Sequence, residues 1–243
     1  TFYSETLFVP ELDEEGLESL LSIGFRHFGA TYFRPVCDEC GRCIPLRIVV
    51  PRFRFTRNRR RVLRKIARLR EKDGLSVDLG GRGTVKKKHE LYLRHGERFD
   101  VGAGDSYESF KDSFFRQVPF GRVLEVRRNR RLVAASHMDL TSRALSAIYC
   151  YWDPEESKLG LGTYSVLKEV EIAAERGISN VYLGYYVAEN RHMSYKDQFY
   201  PNEGLVQEGR WLPFYDEGGR LVSQDVQSHG FLPVLRIEEE SSS

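Results

Sequence analysis

The stretch Gly160–Val187, GLGTYSVLKEVEIAAERGISNVYLGYYV, decides the fold because a turn, a helix and a strand follow one another within it. The glycines at 160 and 162 predict a tight turn, and the residues from about Thr163 to Arg176 have a strong helical pattern. Gly177 is the residue type that most often follows the end of a helix. The aromatic and β-branched run Val181–Val187 then predicts a strand. The stretch therefore indicates a mixed α/β protein.

Three further strands are predicted immediately upstream. Val123–Val126 and Leu132–Met138 are joined by the short polar turn 128–130, and Ala144–Trp152 follows the turn 141–143. An antiparallel meander, a glycine turn, a helix and another strand is the order of the GNAT acyltransferase fold. We therefore expect an α/β (α+β) protein whose C-terminal part resembles that fold. A coenzyme A-dependent N-acetyltransferase, with the Gly160–Gly162 turn at the pyrophosphate, is one functional alternative.

The first half of the chain has a different character. Asp13 predicts the cap of a helix that runs to about Ile23, and Ile44–Val50 is a β-rich run that ends at a proline. Residues 73–84 are glycine-rich and are expected to form a loop, with helical patterns following near 86–95 and 106–116. We divide the chain into a smaller N-terminal Cys-containing and basic-helix region (1–72) that packs on a GNAT-like transferase domain (73–237). A disordered acidic and serine-rich tail (238–243) completes the division.

Composition excludes several classes of protein. The 243 residues can bury a sizeable core, and 41% of them are hydrophobic, which argues against a disordered chain. No signal-peptide pattern and no apolar run of about 18 residues is present, so we expect a cytoplasmic protein without a membrane partner. With only four cysteines in that compartment, a disulfide framework is not expected.

A dense run of positive charge indicates a polyanionic partner. Between Arg52 and Lys72 there are eleven Lys or Arg residues and one acid, Glu71, although the net charge of the chain is only +2. Thr56 predicts the cap of a helix through about Arg70 that buries one apolar stripe and exposes its arginines. Guanidinium groups suit phosphate oxygens, so we predict that the helix binds RNA. The candidate contacts are Arg57, Arg60, Arg61 and Arg64. A solvated helix face without a partner is the alternative.

Three of the four cysteines form the pattern Cys37-x-x-Cys40-x-x-Cys43. Three thiolates are one ligand short of an ordinary zinc or iron–sulfur site, and the remaining thiol, Cys150, is far away in the sequence. His27 or His95 would have to complete a Cys₃His site. One alternative is that the three cysteines hold a metal or form a redox cluster. The other is that they are reduced thiols beside the binding site for the donor substrate, and we then expect the neighbouring arginines to lower the pKa values of these thiols. Without the second half of the chain, this pattern and the basic helix would also fit an RNA-binding or metal-ribbon adaptor without catalysis.

Several short motifs, in a fixed order over nearly the whole chain, resemble those of one protein family. This resemblance is closer than the shared order of helices and strands. The motifs are RPxCxxCxxCIPLR at 34–47, FxFTRNRRRVL at 53–63, YWDP at 151–154, LGTY at 161–164, YLGYY at 182–186 and MSYK at 193–196. In this order they resemble the N-end-rule aminoacyl-tRNA–protein transferases. The short bacterial members are aspartate/glutamate leucyltransferases, and the longer eukaryotic relatives are arginyltransferases.

The resemblance implies an aminoacyltransferase of the N-degron pathway. Its expected reaction moves leucine from leucyl-tRNA to the α-amine of proteins that begin with Asp or Glu, with arginyl transfer as the alternative. Tyr186 and Tyr195 are expected to orient the reacting groups, and Lys196 is expected to stabilise charge. Arg34 and Arg47 are the candidates for binding the acceptor carboxylate. No cofactor is expected for the transfer itself, while relatives leave an iron–sulfur cluster, haem or zinc open at the cysteine cluster.

Overall fold

A computed structural model describes residues 3–37, 40–72, 75–80, 84–98, 106–115, 119–206 and 209–223. The acidic tail predicted at 238–243 lies outside these ranges. None of the helices in the described ranges is both long and apolar enough to cross a lipid bilayer.

The helices begin where the sequence places capping residues. Asp13 accepts a 2.8 Å hydrogen bond from the backbone N–H of Gly16, and Thr56 accepts one of 3.4 Å from that of Arg59, as predicted. Both predicted helices near 86–95 and 106–116 are also confirmed. The α-helices are α1 (Glu14–Ser22), α2 (Arg57–Lys72), α3 (Val85–Gly96), α4 (Tyr107–Phe114) and α5 (Leu161–Glu175). Short 3-10 helices cover Val50–Arg52, Pro154–Leu159 and Ser194–Gln198.

The strands form two sheets within the described ranges. They are β1 (Ser4–Phe8), β2 (Arg26–Phe28), β3 (Thr31–Pro35), β4 (Ile44–Val49), β5 (Leu75–Leu79), β6 (Gly121–Arg128), β7 (Arg131–Leu140), β8 (Ala144–Trp152), β9 (Asn180–Tyr186), β10 (Asn202–Leu205) and β11 (Trp211–Tyr215). A small sheet has the order β1-β3-β2, and a large mixed sheet has the order β11-β10-β4-β9-β8-β7-β6-β5. The large sheet confirms the predicted α/β fold class.

The predicted meander is confirmed in the large sheet. Strands β6, β7 and β8 pair antiparallel in sequence order, and α5 then leads into β9, which runs parallel to β8. The β6–β7 turn places Asn129 and Arg130 at φ angles of 50° and 65°, the left-handed values that a tight two-residue hairpin turn requires. Gly177, at a φ of 69°, follows the end of α5 as expected.

Two features differ from the sequence-based expectation. The segment 73–84 was expected to be a loop, yet it contains β5, which pairs antiparallel with β6 along its length. Leu75 is buried against Ile66 of α2, so tertiary packing overrides the weak local pattern. The second feature is the position of β4, which inserts between β9 and β10 in the large sheet. The N-terminal region therefore contributes a central strand to the sheet, and the proposed division near residue 72 stays a prediction about folding units.

Helices α2 and α5 pack against each other and against the large sheet. Ile66 of α2 packs with Leu161 and Tyr164 of α5 and with Val133 of β7. Further along α5, Leu167 and other apolar residues join the core formed with β4 and β9. Burial of this apolar surface stabilises the packing of α5 against the sheet.

Candidate active site

A large cavity lies between two parallel strands of the large sheet. Strands β8 and β9 pair only from Ala144–Ser146 to Asn180–Tyr182, and the strands diverge beyond that point. The cavity between them has a volume of about 1380 Å³. Its two walls include Tyr149 on β8 and Tyr185 on β9. The cavity therefore occupies the space between those parts of β8 and β9 that do not pair with each other.

The glycine turn and the start of α5 form one edge of this cavity. Gly160 has a φ of 70°, a left-handed value that favours glycine, and it joins the 3-10 helix to α5. A Cβ atom at Gly162 would lie 3.2 Å from the ring of Trp152, so glycine permits close packing there. The turn predicted from the sequence is thus structural, and it also brings the first turn of α5 to the cavity.

A buried carboxylate lies in the cavity wall. Glu169 of α5 is 1% exposed, and its Oε1 accepts hydrogen bonds of 2.9 Å from Ser136 and 3.3 Å from Ser165. Its Oε2 has no hydrogen-bond partner among the described residues. Burial raises the pKa of Glu169 to about 7, although the two serine hydroxyls and Arg26 act in the opposite direction. Such a carboxyl group can take up or release a proton near neutral pH.

A buried guanidinium lines the same cavity. Arg26 of β2 is 8% exposed, and its Nη2 donates a hydrogen bond to the backbone carbonyl of Ala147. Its Nη1 is buried without a partner in the described part of the protein. Burial lowers the pKa of Arg26, and the charge of Glu169 acts against that change. An unmade hydrogen bond on a buried charged group is costly, which makes both atoms candidates for contact with a ligand.

Two of the predicted catalytic residues come together at the cavity. Tyr195 and Lys196 lie in the 3-10 helix Ser194–Gln198 and both line it. The Nζ atom of Lys196 lies 2.6 Å from the backbone carbonyl oxygen of Tyr185. Burial, with a smaller contribution from the positive charge of Arg26, lowers the pKa of Lys196 to about 8. Lys196 is therefore a cation that can release its proton in slightly alkaline solution.

The third predicted catalytic residue is elsewhere. Tyr186 is 5% exposed and packs edge-on against Phe214, with ring centroids 5.4 Å apart. Burial raises its pKa to about 12. Because neighbouring residues on a strand point to opposite faces, Tyr185 faces the cavity instead, and its hydroxyl donates to the carbonyl oxygens of Gly24 and Phe33. The structure thus separates Tyr186 from Tyr195 and Lys196.

The two predicted acceptor-binding arginines are engaged in ion pairs outside the cavity lining. Arg34 lies 2.5 Å from Glu5 and stacks over the ring of Phe25. Arg47 lies 2.7 Å from Glu203, with its guanidinium over Trp211. Each guanidinium therefore already has a carboxylate partner within the chain.

The basic helix α2 exposes the four arginines predicted to bind RNA. Arg57, Arg60, Arg61 and Arg64 are all exposed. Arg59 is different, because it is buried and donates hydrogen bonds to the carbonyl oxygens of Arg54, Gln198 and Tyr200. One face of α2 therefore anchors the helix while the other presents a positively charged surface.

The charged surface of α2 lies next to the cavity. Lys65 of α2 donates a hydrogen bond to the backbone carbonyl of Lys158. Lys158 belongs to the 3-10 helix Pro154–Leu159, in which Ser157 also lines the cavity. This hydrogen bond thus connects the basic helix to the edge of the cavity, beside the packing of Ile66 against Leu161. Asp153 accepts a hydrogen bond from the N–H of Glu155 and so caps the start of this 3-10 helix.

The cysteine cluster does not line the cavity. Cys37, Cys40 and Cys43 are free thiols, and the Sγ of Cys37 accepts a 3.2 Å hydrogen bond from the N–H of Tyr3. Across the described ranges, no group of three or more His, Cys, Asp or Glu side chains is arranged to hold a metal ion. The expected lowering of thiol pKa is wrong for Cys43. Burial raises its pKa, and the nearby arginines are already paired with carboxylates.

The other residues considered as metal ligands have different contacts. Cys150 lines the cavity near Ser136 and Ser165, and burial raises its pKa to about 12. His27 lies 2.6 Å from Asp139, and the Nδ1 of His95 lies 3.0 Å from the carbonyl oxygen of Trp152. None of these side chains joins the three clustered thiols in the structure.

Sequence reasoning missed Arg26 and Glu169. A signal for Glu169 exists in α5, because this acid lies among Val166, Leu167 and Val170 on a helix with few polar buried positions. A carboxylate in such surroundings is either paired or functional. No comparable pattern marks Arg26, whose position in the cavity depends on the small sheet formed by distant segments.

Comparison with known proteins identifies relatives across both halves of the chain. Residues 3–61 match the family model described as arginine-tRNA-protein transferase, N terminus, and residues 87–206 match the corresponding C-terminal model. An aspartate/glutamate leucyltransferase of Marinobacter nauticus is 35% identical over 213 residues, which are 85% of this chain and 86% of the relative. One from Stutzerimonas stutzeri is 34% identical over 83% of this chain and 84% of its own length.

Solved structures with similar folds include acyltransferases. FemX is 14% identical with a TM-score of 0.48 and covers 79% of this chain and 65% of its own. The ribosomal-protein-S18-alanine N-acetyltransferase of Escherichia coli is 13% identical with a TM-score of 0.41, over 56% of this chain and 88% of its own.

Proposed function

Since the chain belongs to the arginine-tRNA-protein transferase family and is an aminoacyltransferase, we propose that it transfers leucine from leucyl-tRNA to proteins beginning with Asp or Glu. Two relatives that carry the name aspartate/glutamate leucyltransferase support leucine as the donor amino acid. Arginyl transfer to the same acceptors is the second candidate, because the matching family models are described by that activity.

The cavity between β8 and β9 is the single observation that carries the proposal. Its volume of about 1380 Å³ can hold the aminoacyl end of a tRNA together with the first residues of a peptide. A carboxylate, a guanidinium and an ammonium group line this one cavity, at Glu169, Arg26 and Lys196. An adaptor that only bound RNA would have no use for these buried charges.

Holding the two reactants together is the main task of such an enzyme. An aminoacyl ester is already activated, so the transfer requires no cofactor, and positioning alone can supply roughly 7–11 kcal/mol of the barrier reduction. Lys196 is suited to stabilise the negative charge that develops on the ester carbonyl oxygen. We assign Tyr195 to orienting the ester beside it, while a contribution from Tyr186 would have to pass through its buried packing contacts.

The basic helix α2 is the proposed binding surface for the tRNA. Arg57, Arg60, Arg61 and Arg64 are exposed and able to contact phosphates by charge-assisted hydrogen bonds. The contact between Lys65 and Lys158 brings this surface close to the cavity. A tRNA bound there could therefore direct its aminoacylated 3′ end between the diverging strands.

Recognition of the acceptor by Arg34 or Arg47 would require an exchange of partners. A substrate carboxylate would have to displace Glu5 from Arg34 or Glu203 from Arg47. Any iron–sulfur cluster, haem or zinc at Cys37, Cys40 and Cys43 would need ligands beyond the side chains that the structure brings together in its described ranges. We therefore propose no catalytic step through a metal or haem group.

One assay distinguishes the candidate functions. Purified protein would be incubated with labelled leucyl-tRNA, arginyl-tRNA or acetyl-coenzyme A, each with peptides beginning with Asp, Glu or Ala. We expect leucyl transfer to the Asp and Glu peptides and little transfer to Ala. Equal transfer to the Ala peptide would remove the acidic-acceptor specificity. Acetyl transfer, or RNA binding without any transfer, would replace the proposed function.

A further inference from the structure

Two oppositely charged side chains in the cavity each keep one polar atom without a partner. These atoms are Nη1 of Arg26 and Oε2 of Glu169, both buried. By contrast, Nη2 of Arg26 donates a hydrogen bond to the carbonyl oxygen of Ala147, and Oε1 of Glu169 accepts hydrogen bonds from Ser136 and Ser165. The unmade bonds therefore leave one strong donor and one strong acceptor, both buried, in two side chains that line the cavity.

The surroundings of Arg26 hold it in place without neutralising it fully. Asp139 contributes negative charge nearby, but its carboxylate is 2.6 Å from His27. Gly184 has a φ of 82°, and a Cβ atom there would lie 3.5 Å from the Nε of Arg26. A side chain at position 184 would therefore contact the guanidinium at an ordinary van der Waals distance, and the positive φ favours glycine there.

The missing bonds match the charges of an N-terminal Asp or Glu residue. Such a residue carries an α-ammonium group and a side-chain carboxylate a few bonds apart. We propose that Arg26 and Glu169 form the acceptor subsite, in which Arg26 binds the side-chain carboxylate and Glu169 binds the α-ammonium group. This inference rests on the proposed function, and it assigns acceptor specificity to residues other than Arg34 and Arg47.

The donor amino acid fits the same two atoms less well. A leucyl group has an ammonium group but offers only an uncharged ester carbonyl to Arg26. An arginyl group would bring a second guanidinium into a cavity that already contains Arg26 and Lys196. A carboxylate is the group that compensates a buried guanidinium most completely. The acidic acceptor is therefore the ligand that satisfies both residues.

The subsite also supplies the proton transfer that the reaction needs. Glu169 takes one proton from the α-ammonium group, and the resulting amine forms a C–N bond with the ester carbonyl carbon. The C–O bond to the tRNA ribose then breaks, and the second proton lost by the nitrogen ends on the ribose hydroxyl. The products are an amide, a free tRNA 3′ end and a protonated Glu169, which releases its proton to water.

The titration of Glu169 is consistent with this role. Its pKa of about 7 results mainly from burial, and it leaves the carboxylate able to accept a proton at neutral pH. Five other groups influence or contact it from the surrounding elements. They are Arg26 of β2, Ser136 of β7, Cys150 of β8, Ser165 of α5 and Tyr195 of the 3-10 helix.

The first experiment measures peptide binding in the absence of tRNA. Calorimetry would compare peptides beginning with Asp and Asn, which differ by one charge at nearly equal size. For the wild type we expect roughly tenfold or tighter binding of the Asp peptide, because its carboxylate forms a charge-assisted pair with Arg26. Arg26→Gln should reduce this preference to about twofold or less, whereas Arg47→Gln should leave it intact.

The second experiment measures leucyl transfer against pH. Glu169→Gln preserves size but cannot take up the proton, so we expect kcat to fall roughly 100-fold and to lose its rise around pH 7. Glu171→Gln is the matched control on the same helix, because Glu171 pairs with Lys168 at the partly exposed surface. Circular dichroism would establish that each variant is folded, with Arg26→Lys as a second variant that retains the charge.

The outcomes separate the subsite from the proposed function. An unchanged Asp preference in Arg26→Gln, or an unchanged pH profile in Glu169→Gln, would overturn the inference while leaving leucyl transfer established. Retention of the preference in Arg26→Lys beside its loss in Arg26→Gln would support pairing by charge. A wild type that prefers the Asp peptide without transferring an amino acid would support the subsite and refute the function. Loss of the Asp preference in Arg47→Gln, with the preference retained in Arg26→Gln, would show that Arg47 is the residue that recognises the acceptor carboxylate.

Discussion

The ammonium group of Lys196 donates a 2.6 Å hydrogen bond to the backbone carbonyl of Tyr185, which joins the 3-10 helix after β9 back to that strand. The same contact fixes a positive charge at the cavity between β8 and β9. Because one of its three donors is used in this way, Lys196 retains donors for an oxyanion within the cavity. The position of this cation is therefore set by backbone, and its protonation state by burial.

The rate of transfer should depend on the proton of Lys196. Its lowered pKa of about 8 means that the stabilising cation is present below that pH and is lost as the pH rises through it. We expect Lys196→Met to reduce kcat roughly 100-fold near pH 7, since an oxyanion donor of this kind contributes at about that level. The wild-type kcat should decline above about pH 8. A profile for Lys196→Met that retains the alkaline decline would assign that decline to another group.

The positive surface of α2 should govern the salt dependence of tRNA binding. Replacing Arg60 and Arg61 with Ala should weaken binding and lower the slope of log affinity against log salt by about one per lost phosphate contact. Filter binding at several salt concentrations measures this slope. Arg176→Ala, at an exposed position after α5, is the matched control. If both variants show the wild-type slope, α2 is a solvated face and the tRNA binds elsewhere.

Arg59 should contribute to stability where its neighbours on α2 do not. Its guanidinium donates three hydrogen bonds to carbonyl oxygens and lies between the rings of Phe53 and Tyr200, about 4.4 and 4.3 Å from their centroids. We expect Arg59→Ala to lower the free energy of unfolding by roughly 2–4 kcal/mol, because buried acceptors are left unpaired. Chemical denaturation would measure it. Arg60→Ala should change the same quantity by less than about 0.5 kcal/mol, and equal losses would contradict the distinction.

The cysteine cluster should be metal-free in protein purified without oxygen. Cys40 is exposed, so Cys40→Ser should shift the melting temperature little and should change sensitivity to oxidants more. Metal analysis and differential scanning calorimetry on the same preparation test both statements. Stoichiometric metal that disappears on replacing any one of Cys37, Cys40 or Cys43 would show that the cluster is a metal site.

The contrast between α5 and Arg26 shows what sequence patterns can predict. The helix and its flanking glycine turn follow from local spacing, whereas Tyr195 and Lys196 were identified through the resemblance of one short motif to a known family. The cavity side of β9 was not predicted, since both Tyr185 and Tyr186 belong to the same motif and only strand alternation separates them. Arg26 reaches the cavity through pairing between distant segments. Such non-local contacts leave no periodic signal in the sequence.

The pairing of β9 has a mechanical consequence for the cavity. On one side β9 shares six residue pairs with β4, whereas on the other it shares three with β8. The wall that carries Tyr185 is thus held more firmly by the N-terminal region than by the strand across the cavity. A change in β4 that moved its register would alter the width of the cavity without replacing a single residue that lines it. In the proposed arrangement of the two reactants, the distance between them would thus depend on β4, a strand outside the lining of the cavity.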